Sequence, residues 1–161
     1  MNYLVVANRT LGGPELLGAI RERMERGPAE FWVLVPATPN THLVNDFGAF
    51  SCTFPVDPDI APSAADIAAG HVAGNEAEAR LDSELQRLRA IGATADGAVG
   101  SPDPLKAIDA ALAERHFDEI ILCTLPPRLS RWLAMDLPRR LRRRTKVPLA
   151  VVETRSDPGD R

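Results

Sequence analysis

Four short apolar runs, at residues 3–7, 31–35, 120–123 and 149–152, constrain this chain more than any other feature. Each is closed by a polar residue or a proline. A continuous run of this length reads as a strand buried on both faces, whereas a strand with one wet face would alternate. A fifth, weaker candidate lies at Asp96, Gly97, Ala98 and Val99. Between the runs stand stretches with helical spacing. Leu16, Leu17, Ile20 and Met24 recur on one face of a helix that opens at Pro14 and ends at Gly27-Pro28. Leu81, Leu85, Leu88 and Ile91 mark a second helix over 77–91, closed by Gly92. Asp103 caps a third over 104–116, with Leu105, Ile108, Ala111 and Leu112 inward. Asp136 or Leu137 opens a last, basic helix that tolerates Pro138 in its first turn. Strand and helix in strict alternation imply an α/β fold. The expected architecture is a single domain with a five-stranded parallel sheet, strand order 3-2-1-4-5, right-handed crossovers and helices on both faces.

Length agrees with one domain: 161 residues bury roughly 70% of their unfolded surface, enough for a real core. The domain spans 1–155, with a polar tail at 156–161 expected to be disordered. One segment breaks the pattern. Residues 36–75 exceed the usual connection of about 2–6 residues and carry Pro39, Pro55, Pro58 and Pro62 with several aspartates. Two capping-box-like starts compete at its end, Ser63 with Asp66 and Asn75 with Glu78.

Charge and cysteine usage exclude some classes. The net charge of −3 and the 5% aromatic content make nucleic acid an unexpected partner for the molecule as a whole. Cys52 and Cys123 are the only cysteines and have no metal-ligand spacing, so a reducing cytoplasm is the expected compartment. No apolar run approaches about 18 residues, and no basic-then-apolar signal segment opens the chain; neither export nor a membrane span is expected.

With order 3-2-1-4-5, strands 1 and 4 lie side by side and their crossovers leave in opposite directions. Ligands of open α/β sheets bind at that switch point, at the carboxyl ends of the strands. The candidate crevice residues are therefore Asn8, Arg9 and Thr10 after strand 1, Val35 at the end of strand 2, and Thr124, Arg128, Ser130 and Arg131 after strand 4. The first helix would turn free N–H groups to the crevice, and the arginines would add charge-assisted bonds to an anion. The plainer reading makes Gly12-Gly13 a turn and leaves the arginines in water.

No catalytic constellation emerges. His42, His71 and His116 are scattered, Ser130 has no GxSxG around it, and neither GxGxxG nor GxxxxGK[ST] occurs. A phosphorylation receiver is disfavoured because Asn8, not an aspartate, ends strand 1. Arg139, Arg140, Arg142, Arg143, Arg144 and Lys146 form a basic run. Consecutive arginines point all around a helix, so the run reads first as a solvated face and second as a contact for acidic partners or nucleic acid.

The stretch 100–122, GSPDPLKAIDAALAERHFDEIIL, followed by a loop, a helix and VPLAVV, resembles the universal stress protein family. Gly100-Ser101-Pro102 through Ile108 looks like that family's G-D-P-x-x-x-I stretch, and 147–152 looks like its C-P-V-L-V-V ending. The resemblance covers most of the chain outside 36–75 and the tail, and implies an adenine nucleotide alpha hydrolase-like fold. Nucleotide-binding members carry G-x-x-G and, further on, G-[S/T] after the fourth strand. Cys123 and Pro126 stand at the first two glycines here, and the last pair falls at Met135-Asp136 or Asp136-Leu137. Proline removes a donor and Asp136 repels phosphate. Asn8 replaces the acidic residue placed near the adenosine. The resemblance is thus to the branch lacking the usual ATP loop. It implies a non-enzymatic, homodimeric stress-response or regulatory protein that pairs through the final strand and holds no resident cofactor. The alternatives are ATP or AMP held by a non-standard Pro/Arg loop, and an enzyme of the related hydrolase-like fold.

Overall fold

The computed structural model describes residues 1–7, 13–37, 64–124 and 136–153, with the backbone alone over 64–73. Five parallel strands form one sheet in the order β3-β2-β1-β4-β5. They are β1 (Asn2–Val6), β2 (Glu30–Pro36), β3 (Thr94–Gly100), β4 (Glu119–Thr124) and β5 (Leu149–Glu153). The helices among the described residues are α1 (Pro14–Glu25), α2 (Ala64–Ala90), α3 (Pro104–Glu114) and α4 (Leu137–Arg144).

Strand alternation sorts the core into two layers. Tyr3, Val5, Ile121 and Cys123 point to the side covered by α1 and α2, meeting Leu16, Ile20, Leu81 and Leu88. Leu4, Val6, Ile120 and Leu122 point to the side covered by α3 and α4, meeting Leu105, Ile108, Leu137 and Leu141. β1 and β4 are buried on both faces, which is why their sequence runs apolar without a break. Parallel pairing leaves the amino ends of β1 and β4 at one rim, closed by polar contacts. Asn2 N–H donates to Asp118 Oδ2 at 2.7 Å, and Asp118 N–H returns to the Asn2 carbonyl at 2.8 Å. Arg23, buried on α1, pairs with Glu119 on β4, donates to the Ala19 carbonyl at 2.9 Å and lies over the Tyr3 ring.

The caps explain where the helices stop. Asp103 accepts from Leu105 N–H at 2.9 Å and Pro104 follows it, as the sequence predicts for α3. α2 closes in a Schellman turn: Ala93 N–H reaches the Leu88 carbonyl and Gly92 N–H the Arg89 carbonyl, with Gly92 at φ +85.

One open choice is decided and two expectations change. Of the two starts offered at Ser63 and Asn75, α2 takes the first and begins at Ala64, so the segment between β2 and α2 is 37–63 and not 36–75. Its added turns are alanine-rich, and alanine is the strongest helix former; Gly70 and Gly74 cost about 1 kcal/mol each against that. α3 ends at Glu114 and not His116. Arg115 leaves the helix in extended conformation to stack on Trp32 at 3.8 Å, which lets Phe117 enter the core. β3 is a full seven-residue strand paired along all of β2, though weakly signalled. A Cβ on Gly97 would come 2.3 Å from the Val33 carbonyl oxygen, so the close approach of β3 to β2 requires the glycine that weakens its pattern. The tail at 156–161 lies outside the described residues.

Candidate functional site

The crevice expected from topology lies where β1 and β4 end side by side. α1 begins close by. Gly13 precedes it in extended conformation, without a side-chain cap, and Pro14 occupies the first helical position. Glu15 stands in that first turn, where a carboxylate complements the positive end of the helix.

Of the predicted crevice residues, Val35 and Thr124 are described. They are not brought together. Val35 is fully buried in the layer under α1 and α2, a core residue at the end of β2. Thr124, also buried, follows Leu122 by one alternation and so belongs to the α3 and α4 side, in register with Glu153. Asn8, Arg9, Thr10, Arg128, Ser130 and Arg131 lie outside the described residues. Asp136 adopts φ 55 and ψ 32, a left-handed conformation uncommon outside glycine and asparagine. It opens α4 without a side-chain cap.

Beneath this crevice sits a polar group that apolar periodicity hides. Glu84 is 1% exposed on the inner stripe of α2, between Leu81 and Leu88. The spacing from Leu81 to Glu84 to Leu88 already puts the carboxylate on the buried side, and that spacing was the available signal. Burial pushes the Cys123 thiol far above its ordinary value; the charge of Glu84 adds to this and Arg23 opposes it. Cys123 is therefore a neutral core thiol at physiological pH and not a nucleophile.

Elsewhere, a shallow groove of about 400 Å³ lies between the end of α3 and the approach to β5, lined in part by Leu112, Arg115, His116, Phe117 and Thr145. It opens at the amino ends of the strands, away from the switch point. His116 is exposed there, 3.8 Å from an Asp118 oxygen. Among the described residues, no three His, Cys, Asp or Glu side chains are grouped to hold a metal ion. None of the described helices is long and apolar enough to cross a membrane.

The arginines of α4 spread over all of the helix but its leucine side and form the exposed face that the consecutive run implied. Leu137 and Leu141 take the inward side, and Arg139, Arg140, Arg142 and Arg143 are exposed. Arg144 turns to Asp109 of α3 at 3.1 Å, and Arg139 lies 3.7 Å from Asp136.

Compared with models of known protein families and with curated proteins, the chain matches none.

Proposed function

We propose that this chain is a non-enzymatic, universal-stress-like binding protein that works as a homodimer and does not hold ATP by the usual loop. One observation carries the reading. The sheet order β3-β2-β1-β4-β5 supports a ligand crevice between the ends of β1 and β4, and Pro126 and Pro127 follow β4 where a phosphate-binding loop would need backbone donors. The dimer is inferred from β5. This edge strand is half-buried from Leu149 to Val152, and pairing with a second copy would cover its open ladder.

A second reading is an adenine-nucleotide binder using Asn8, Arg9, Thr124, Arg128, Ser130 and Arg131. It is favoured by the place where α1 begins, soon after the carboxyl end of β1, because the positive end of a helix dipole favours an anion. Native mass spectrometry of freshly purified protein, followed by titration with ATP, ADP, AMP and cyclic nucleotides, separates the two. The first reading expects an empty dimer that ignores every nucleotide. A retained adenine nucleotide lost in Arg128→Gln and Arg131→Gln establishes the second. A mass of one chain at micromolar concentration removes the dimer.

A further inference from the structure

We propose that the outer face of α4 is a docking surface for the phosphate backbone of a nucleic acid, contacted without reading its bases. The starting point is charge segregation. Six of the 19 basic residues stand between Arg139 and Lys146, so against 22 acidic residues the rest of the chain carries a formal charge of −9. Two of the six are engaged, Arg139 beside Asp136 and Arg144 with Asp109. Among the described residues, no ion pair engages Arg140, Arg142 or Arg143, and all three are exposed.

Solvation alone accounts for the end of the helix but not for its start. Arg142, Arg143 and Arg144 in the last turn complement the negative end of the dipole. Arg139 and Arg140 sit in the first turn, against the positive end, and each has a like charge four residues on. The burial of Leu137 and Leu141 holds this helix together against its own repulsion. An external polyanion would relieve that repulsion, and guanidinium forks suit phosphate oxygens.

The chemistry of the face selects the partner. Its outward positions carry no apolar side chain, so it lacks the wedge of a membrane-surface helix and the desolvated centre of a protein interface. It has no aromatic residue to stack a base. Backbone contact driven by counterion release needs neither. Eight residues of helix are about 12 Å long, which at about 3.4 Å per phosphate along one strand faces about three phosphates.

The test is fluorescence anisotropy of a labelled duplex of about 20 base pairs with the intact protein, in salt from about 50 to 200 mM. Three phosphates predict a slope of about −2.7 in log K against log salt, hence a loss of affinity of about 40-fold over that range. Arg140→Gln/Arg142→Gln/Arg143→Gln removes no native ion pair, so its dichroism melt should match the parent while its slope approaches zero. The corresponding triple lysine variant keeps the slope, and Arg21→Gln/Arg87→Gln, on the helices of the opposite face, leaves binding unchanged. Absence of binding at the low-salt limit, or binding indifferent to the glutamine triple variant, overturns the proposal. So does capture by phosphatidylserine vesicles without capture of the duplex.

Discussion

Replacing Glu119 with leucine should strand a buried cation. The Arg23 side chain is 8% exposed and that of Glu119 20%. The two meet edge to edge, with Arg23 Nε 3.2 Å from Glu119 Oε2, while a second guanidinium nitrogen holds the Ala19 carbonyl. Removing one partner from such a pair costs about 3–5 kcal/mol, most of it the desolvation of the charge left behind. The partial exposure of Glu119 sets the expected loss at the lower end, about 3 kcal/mol. At about 2–4 °C per kcal/mol for a domain of this size, the melting temperature should fall by roughly 6–12 °C. The double variant Arg23→Met/Glu119→Leu tells the pair's net worth from the cost of breaking it. Methionine keeps the stem volume against Tyr3, and neither charge remains, so most of the loss should return. The assay is a double-mutant cycle, completed by the single variant Arg23→Met, by urea unfolding with equal m-values as the check that the transition stays two-state. If Glu119→Leu costs less than about 1 kcal/mol, or the double variant is as unstable as the sum of the singles, the rim ion pair does not work as described.

Three further outcomes follow from the same structure. Ile120 N–H donates to the Pro148 carbonyl, so alternate residues of β5 face β4 and the N–H of Val151 points to the open edge; Val151→Pro should leave the fold intact and shift the light-scattering mass from two chains to one. Gly97→Ala drives a Cβ into the Val33 carbonyl and the Leu81 side chain, and should lower stability by about 1–3 kcal/mol, toward the upper end because a backbone atom must yield, read as a shifted urea midpoint. Cys123 should not react with a thiol reagent in the native state of a Cys52→Ser background. Its pKa is raised by folding, so the thiol's contribution is whole below the unfolded value near pH 8.5 and declines above it, by about 1.4 kcal/mol per pH unit until the native thiol itself ionises. Cys123→Ala should remove that part of the alkaline slope.

The strands that are buried on both faces were legible because nothing but apolar residues satisfies two cores at once, as Leu4 and Val5 do on β1. β3 was nearly hidden, since this edge strand trades side chains for glycine at 97, where the β2 backbone lies close, and at 100, where Ala107 of α3 does. The start of α2 was ambiguous because Ser63 and Asn75 offer equivalent caps, and alanines show no stripe to choose between them. The end of α3 was overshot because Arg115 leaves for Trp32, a contact more than 80 residues away that no local pattern encodes. At the crevice, topology was readable from alternation alone. Glu84 was not, because an apolar stripe is counted by its leucines and the charged residue among them is passed over.

Charge and edge lie on the same flank of the sheet. Leu149 of β5 packs in the layer that buries Leu137 and Leu141 of α4. Two copies pairing antiparallel through β5 are related by a two-fold axis normal to the sheet, which keeps both α4 helices on one face, astride the axis. Each would bring Arg140, Arg142 and Arg143 without an acidic partner. Their mutual repulsion opposes the proposed dimer and weakens as salt screens it. A phosphate backbone laid across both helices reverses the sign, because the charge that separates the copies becomes the charge that joins them. Linkage would then make dimer formation and polyanion binding strengthen each other by the same factor, whichever came first.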